Sequence, residues 1–226
     1  MIQVSELEFS YGSLDFQLRV PELAINRGEK VAIVGPSGLG KSTLLKLLSG
    51  ILVPQHGTIR MGEVELEHFS DAARRRFRAS KIGLVFQELE LIEYLSVREN
   101  ILLPYLIHGF SKKRTEIQGS AESLAAATGL ADKLTRRPDQ LSQGERQRVA
   151  ICRAMITQPE YLLVDEPTGS LDSRAASEVL KLLFDQAERN KTTMLMVTHD
   201  SSILDHFDRT VDLAELQIAD TSLEVK

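Results

Sequence analysis

The sequence predicts an α/β fold: a mainly parallel sheet flanked by helices, with a small antiparallel β subdomain and an inserted α-helical subdomain. Three observations carry this expectation. The segments "KVAIVG", "KIGLVFQ", "YLLVDEP" and "TTMLMVTHD" hold continuous apolar runs of strand length, the mark of strands covered on both faces. Each ends in polar residues of chemical interest, and open parallel sheets bind ligands at that carboxyl end. From Ser96 to Pro138 the pattern turns to helical periodicity.

Taken in order, "IQVSELEFSY" alternates apolar and polar residues as a half-buried strand does, and "LDFQLRV" pairs with it as a second strand of the antiparallel subdomain. "KVAIVG" runs into the glycine-rich "GPSGLGKST" and then the apolar helix "STLLKLLSG". "RRRFR", Arg74 to Arg78, reads as the solvated face of a helix. The clearest piece of the helical insertion is the Ala-rich "SAESLAAATGLADKL". "LSQGERQRVA" starts another helix, because Ser142 followed three residues later by Glu145 makes a capping box. Gly144 in its first turn lowers helix propensity by roughly 1 kcal/mol relative to Ala, so something besides folding asks for bare backbone there. No internal repeat or low-complexity linker is visible, which leaves a single domain. Residues 1–95 and 158–226 form its core and β subdomain, and residues from about 96 to 157 its helical subdomain.

The 226 residues suffice for one substantial core, and 42% hydrophobic with 26% charged residues excludes wholesale disorder or a fibrous repeat. A net charge of -5 argues against a broad footprint for nucleic acid, and no nucleic-acid partner is expected. Cys152, the single cysteine, has no internal disulfide partner; beside Val149, Ala150 and Met155 it belongs to a packed helix face in a reducing compartment. The amino terminus lacks a basic and an apolar leader region, and no apolar run approaches the roughly 20 residues that span a bilayer. The chain is therefore expected in the cytoplasm, meeting a membrane only through a partner.

"GPSGLGKST" satisfies G-x-x-x-x-G-K-[ST] between a strand and a helix, the context of a phosphate loop and hence of a P-loop NTPase core. Gly35, Gly38 and Gly40 let successive amides turn inward on an anion, and the helix amino terminus adds a favourable dipole. With Pro36, Ser37, Leu39 and Thr43 they form the ATP cradle, in which Lys41 bridges the β- and γ-phosphates and Ser42 ligates Mg2+. Asp165 and Glu166 close a buried strand, where a carboxylate is costly without a cation or hydrogen bonds. Asp165 suits the second shell of Mg2+, and Glu166 suits the general base for an attacking water. The amide oxygen of Gln87 reaches Mg2+ or that water, and His199 hydrogen-bonds the γ-phosphate or orients catalytic groups. The plainer alternatives are an acidic pair that caps the next helix and strand-end Gln87 and His199 with structural partners. "LSQGE" has no phosphate of its own in this chain, so Ser142 and Gly144 serve the nucleotide of another copy. Two chains in head-to-tail apposition under a two-fold axis then close two equivalent composite sites.

The ordered set "GPSGLGKST", Gln87, "LSQGE", "LLVDEP", "SLD" at Ser170 to Asp172, and His199 resembles the ATP-binding cassette (ABC) ATPase family from about Ile2 to Leu213. The resemblance implies an adenine-stacking aromatic ahead of the phosphate loop, a position Tyr11 fits, and communication between composite sites through Asp172. Gln143 stands where family members usually have glycine, and Glu145 where many have glutamine. "VFQELELIEYLSVRENILLPYLI" and "DEPTGSLD" look like the branch containing LolD, MacB and FtsE. That branch implies an ATPase peripheral on the cytoplasmic face of a bacterial inner membrane, homodimeric with ATP and driving an integral permease-like subunit in lipoprotein release or export. Its alternative is an FtsE-like regulator that transports nothing; a cassette of DNA repair or translation would carry a coiled-coil insertion or a second cassette, neither of which is present. Leu89, Leu91, Ile92 and Leu95 either line the groove for the membrane subunit's helix or pack as subdomain core.

Overall fold

The computed structural model describes residues 1–12, 16–108, 114–169 and 171–221. In chain order the elements are β1 (Ile2–Phe9), β2 (Leu18–Ile25), β3 (Lys30–Val34), α1 (Lys41–Leu48), β4 (His56–Met61), β5 (Val64–Glu65), α2 (Asp71–Lys81) and β6 (Ile82–Val85). There follow α3 (Val97–His108), α4 (Arg114–Ala127), α5 (Gln143–Met155), β7 (Tyr161–Asp165), α6 (Ser173–Asn190), β8 (Thr193–Val197), β9 (Arg209–Asp212) and α7 (Leu213–Thr221). The chain divides into two compact units, Met1–Arg78 with Thr192–Lys226, and Ala79–Lys191. Among the described residues no helix is long and apolar enough to cross a membrane.

The first unit holds both kinds of sheet. β1 lies between β2 and β4, antiparallel to each, and β5 completes a four-stranded antiparallel sheet. The apolar residues of β1 break step, Ile2 and Val4 and then Leu7 and Phe9, yet all four are buried. An irregularity resolves the slip: Glu6 takes φ 49 and the register with β4 shifts between Ser5 and Glu8. One extra residue returns Leu7 to the buried face. The second strand runs Leu18–Ile25, downstream of the "LDFQLRV" expected from alternation, whose residues 14 and 15 lie outside the described residues. Pro21 is tolerated in it because β2 is an edge strand and the pairing passes over Pro21 and Glu6. β3 pairs in parallel with β8 and β9, and Val31, Ala32 and Ile33 are fully buried, as a strand covered on both faces requires. In α2 no residue is buried; Arg75 pairs with Asp71 at 2.6 Å, while Arg74 donates to the Phe69 carbonyl and Arg78 to that of Ser49.

In the second unit β6 and β7 pair in parallel, and α5 packs against β6, α3, α4 and α6. Gly83 permits the closest of these approaches: a Cβ there would stand 2.6 Å from the Ala154 carbonyl oxygen. The helical core gathers Val97, Ile101, Ala121, Leu130, Val149 and Cys152. α3 opens on a reciprocal pair in which the Ser96 amide donates to Glu99 at 2.8 Å and the Glu99 amide to Ser96 Oγ at 3.3 Å. The Ala-rich stretch is not one helix. α4 stops where Thr128 Oγ1 donates to the Leu124 carbonyl and Gly129 takes φ 70, and a short 3-10 turn, Ala131–Lys133, follows.

Cys152 is 1% exposed and lies 3.3 Å from Thr128 Oγ1; burial pushes its thiol up to about 11. A thiol so placed is neither ionised nor reachable near neutral pH. Maleimide labelling at pH 8 is expected to leave Cys152 unmodified in the native protein and to go to completion in denaturant; rapid native labelling contradicts this packing.

Candidate nucleotide site

The first unit carries the phosphate loop between β3 and α1, as the motif requires. Gly40 caps α1 with a left-handed φ of 101, and the space that a Cβ would take is filled by Phe16 and Leu18, at 3.0 and 3.2 Å from its position. At Gly38 a Cβ would meet nothing within 4 Å, so this side of the loop is open. Lys41 is 7% exposed, and its Nζ donates to the carbonyls of Gly35 at 2.8 Å and Pro36 at 2.9 Å. Those two carbonyls belong to the loop itself, so the ammonium holds the turn closed while its charge sits under the anion cradle.

Parallel pairing decides which other groups stand near. The register Ile33↔Val197, with the Thr198 amide donating to Ile33 at 3.1 Å, brings exposed His199 to the sheet edge from which the loop departs. Val34↔Asp212 brings Asp212 there as well; a Cβ on Gly35 would lie 3.3 Å from its Oδ1, which accepts the Ala214 amide at 2.8 Å. From α7, Gln217 donates to the Leu39 carbonyl at 3.2 Å. Asp212, Gln217 and Phe16 are supports that the reading of motifs missed; the sole trace of β9 was the short alternation "RTVD". Tyr11 is 53% exposed, hydrogen-bonds Thr43 Oγ1 at 3.1 Å and meets Phe16 with ring centroids 5.5 Å apart. An aromatic face thus stands at the end of the phosphate loop, suited to stacking on a base.

The second unit assembles its own sheet edge. Val85↔Val164 aligns β6 with β7, so Gln87, Asp165 and Glu166 all leave the same end. Asp165 is 7% exposed. Glu166 takes φ 41, a left-handed conformation that costs a non-glycine residue about 1–3 kcal/mol and concentrates at functional sites. Among the described residues no cluster of three His, Cys, Asp or Glu side chains is built to cage a metal. The Ser42 hydroxyl in the first unit, and the Gln87 amide and Asp165 carboxylate in the second, are each the kind of hard oxygen donor that Mg2+ takes.

The start of α5 has the expected cap. The Glu145 amide donates to Ser142 Oγ at 3.3 Å, and the Ser142 amide donates to Glu145 at 2.8 Å. Burial works against the Glu145 carboxylate, but the Ser142 amide and Lys133 hold it below the usual range. Gln143 is an ordinary exposed first helical residue and is absent from the positive-φ positions, so this backbone does not ask for the family's glycine. Gly144 is buried and faces α6, where a Cβ would stand 3.5 Å from that of Ala175, a normal contact. The groups presented outward are Ser142 and Gln143. Asp172 caps α6, accepting from the amides of Arg174 and Ala175, whereas Ser170 lies outside the described residues. After Gln87, Leu89 is buried and Leu91 packs on the helical core, and both line a cleft of about 470 Å3 rimmed by Glu88, Glu90, Glu93 and Arg146. Ile92 and Leu95 are half-buried beyond it.

The chain is similar to known proteins over most of its length. A family model described as "ABC transporter" matches residues 18–169. A "Lipoprotein-releasing system ATP-binding protein LolD" of Legionella pneumophila (strain Paris) is 40% identical over 198 residues, covering 88% of this chain and 86% of that one. The solved dimeric structure of MJ0796, a bacterial ABC transporter cassette, is 31% identical with a TM-score of 0.85 over 94% of each chain. A second dimeric structure of MJ0796, described as a post-hydrolysis state bound to ADP and Pi, is 30% identical with the same TM-score and coverage.

Replacing Lys41 removes a buried cation from beneath the cradle. Lys41→Ala is expected to weaken ATP binding about 10–100-fold by calorimetry, the worth of one hydrogen bond to a charged group. Unchanged affinity contradicts the placement.

Proposed function

The chain belongs to the ABC transporter family, and from that premise we propose that two copies of it close around two Mg·ATP molecules to drive a separate membrane subunit in lipoprotein release or export. The observation that carries the reading is Lys41, a buried lysine held by carbonyls of a phosphate loop at the start of a helix. The identity to a LolD protein supports the branch, and the likeness to a dimeric cassette supports the pairing of copies.

The loop amides and the α1 amino terminus bind the phosphates, Tyr11 stacks on adenine and the Ser42 hydroxyl would hold the metal. Mg2+, when bound, neutralises charge on the β- and γ-phosphates. Glu166 accepts a hydrogen bond from the attacking water and takes up its proton as the new oxygen–phosphorus bond forms and the bond to ADP breaks. His199 and Gln87 orient the γ-phosphate and the water, and Asp165 orients the metal's ligands. Ser142 donates to the nucleotide held by the other copy, while Gly144, turned toward α6, lets α5 start close to that helix. Exposed Glu88, Glu90 and Glu93 above buried Leu89 suit one occupant of the cleft, a short amphipathic helix of the membrane subunit carrying Lys or Arg.

Glu166→Gln keeps the shape of the side chain and removes the base. Phosphate release is expected to slow at least about 100-fold, while light scattering shows an ATP-dependent dimer. Parental turnover excludes Glu166 as the base, and a monomer at saturating ATP contradicts the pairing.

A further inference from the structure

The loop after Gln87 is strained and yet tightly held. Leu89 and Glu90 are successive non-glycine residues with φ 60 and 50, a pair that L-residues adopt only under constraint. The constraint comes from α5, whose Arg153 donates from one guanidinium nitrogen to the Leu89 carbonyl and from the other to that of Glu90. Burial lowers the pKa of this guanidinium, and its two bonds satisfy the Leu89 and Glu90 carbonyls, while the Leu89 amide donates to Phe86 at 3.0 Å and the Glu90 amide to Glu88 at 2.7 Å. Farther along, fully buried Asn100 of α3 accepts the Ile92 amide at 2.9 Å and donates to the carbonyls of Ile92, Leu95 and Ser96. That end of the loop is therefore fixed to α3, and the strained end to α5.

α5 is the helix that begins with Ser142 and Gln143. Ten residues separate Gln143 from Arg153, about 15 Å of rigid helix. The cleft that Leu89 and Glu90 line is also lined by Gln143 and Arg146 from the opening turns of α5. Anything that moves the loop pulls on α5, and anything that seizes the start of α5 loads the loop.

We propose that Arg153 is a positioning residue that locks the Leu89–Glu90 turn to α5, so that engagement of Ser142 and Gln143 by the nucleotide of a second copy is transmitted to the loop after Gln87. This rests on the dimeric ATPase reading above. It needs a planar fork that reaches two carbonyls at once, which lysine does not provide.

The test is hydrogen exchange of the Glu166→Gln chain with and without ATP, alone and with Arg153→Met or Arg153→Lys added. In the Glu166→Gln chain, ATP is expected to slow exchange of the amides at 142–146 and, by about tenfold, of those at 89–93, within the usual range for coupled sites. With Arg153→Met the 142–146 segment still responds, while the response at 89–93 falls below about twofold; Arg153→Lys, which keeps a cation and one donor, falls between. Unchanged protection at 149–152 shows that α5 is intact in each variant. Equal responses at 89–93 with and without Arg153 overturn the proposal. Should Arg153→Met fail to fold, a full response in Arg153→Lys overturns it equally. Silence at 142–146 in the Glu166→Gln chain itself overturns instead the dimeric reading, and is told apart by that segment alone.

Discussion

A loop whose amides must all point at one anion has to turn its carbonyls elsewhere, and the bond from Lys41 to the carbonyls of Gly35 and Pro36 meets that constraint. It also stores a charge beneath the place where phosphate binds. Much of the first unit serves this arrangement. β3 is buried between two parallel partners, which anchors the loop's entry. Phe16 and Leu18 close on the bare Cα of Gly40, and Gln217 ties the Leu39 carbonyl. A loop so supported loses little further freedom when a ligand arrives, which is how preorganisation aids binding.

The second unit follows a different economy, with left-handed residues where its strands give way to loops. Glu166 follows β7, and Leu89 and Glu90 follow β6 by a few residues. Such residues persist only if their surroundings over-determine them. Around this loop the over-determination is polar: half-buried Arg153 donates to the carbonyls of Leu89 and Glu90, and fully buried Asn100 bonds the amide and carbonyl of Ile92 farther along. Asn100 lies on α3 between Val97 and Ile101 of the helical core, and Arg153 on α5 next to Cys152 of the same core. Packing and polar satisfaction here are one construction, because a buried polar group without partners is costly.

What the sequence by itself determined were the parts governed by local rules. "GPSGLGKST" specifies its turn through glycine and its helix start through the residues that follow; Ser142 and Glu145 specify their cap at fixed spacing. The buried parallel strands were legible as unbroken apolar runs, whereas β1, expected to alternate regularly, carries an irregularity at Glu6 that its pairing with β4 reveals. Tertiary structure alone decided the partnerships. β4, β5, β9 and α7 carry weak local signals, and β9 exists because β3 has an edge to pair. The second strand continues past Val20 through Pro21 because the sheet order places it at an edge, where a missing amide costs no ladder bond. Asp212 beside Gly35, Phe16 beneath Gly40, Ala175 facing Gly144 and Arg153 on the Leu89–Glu90 turn are contacts between residues far apart in the chain. Propensity and periodicity reach only a few residues along the backbone, so contacts made by folding the chain back on itself leave no spacing to read.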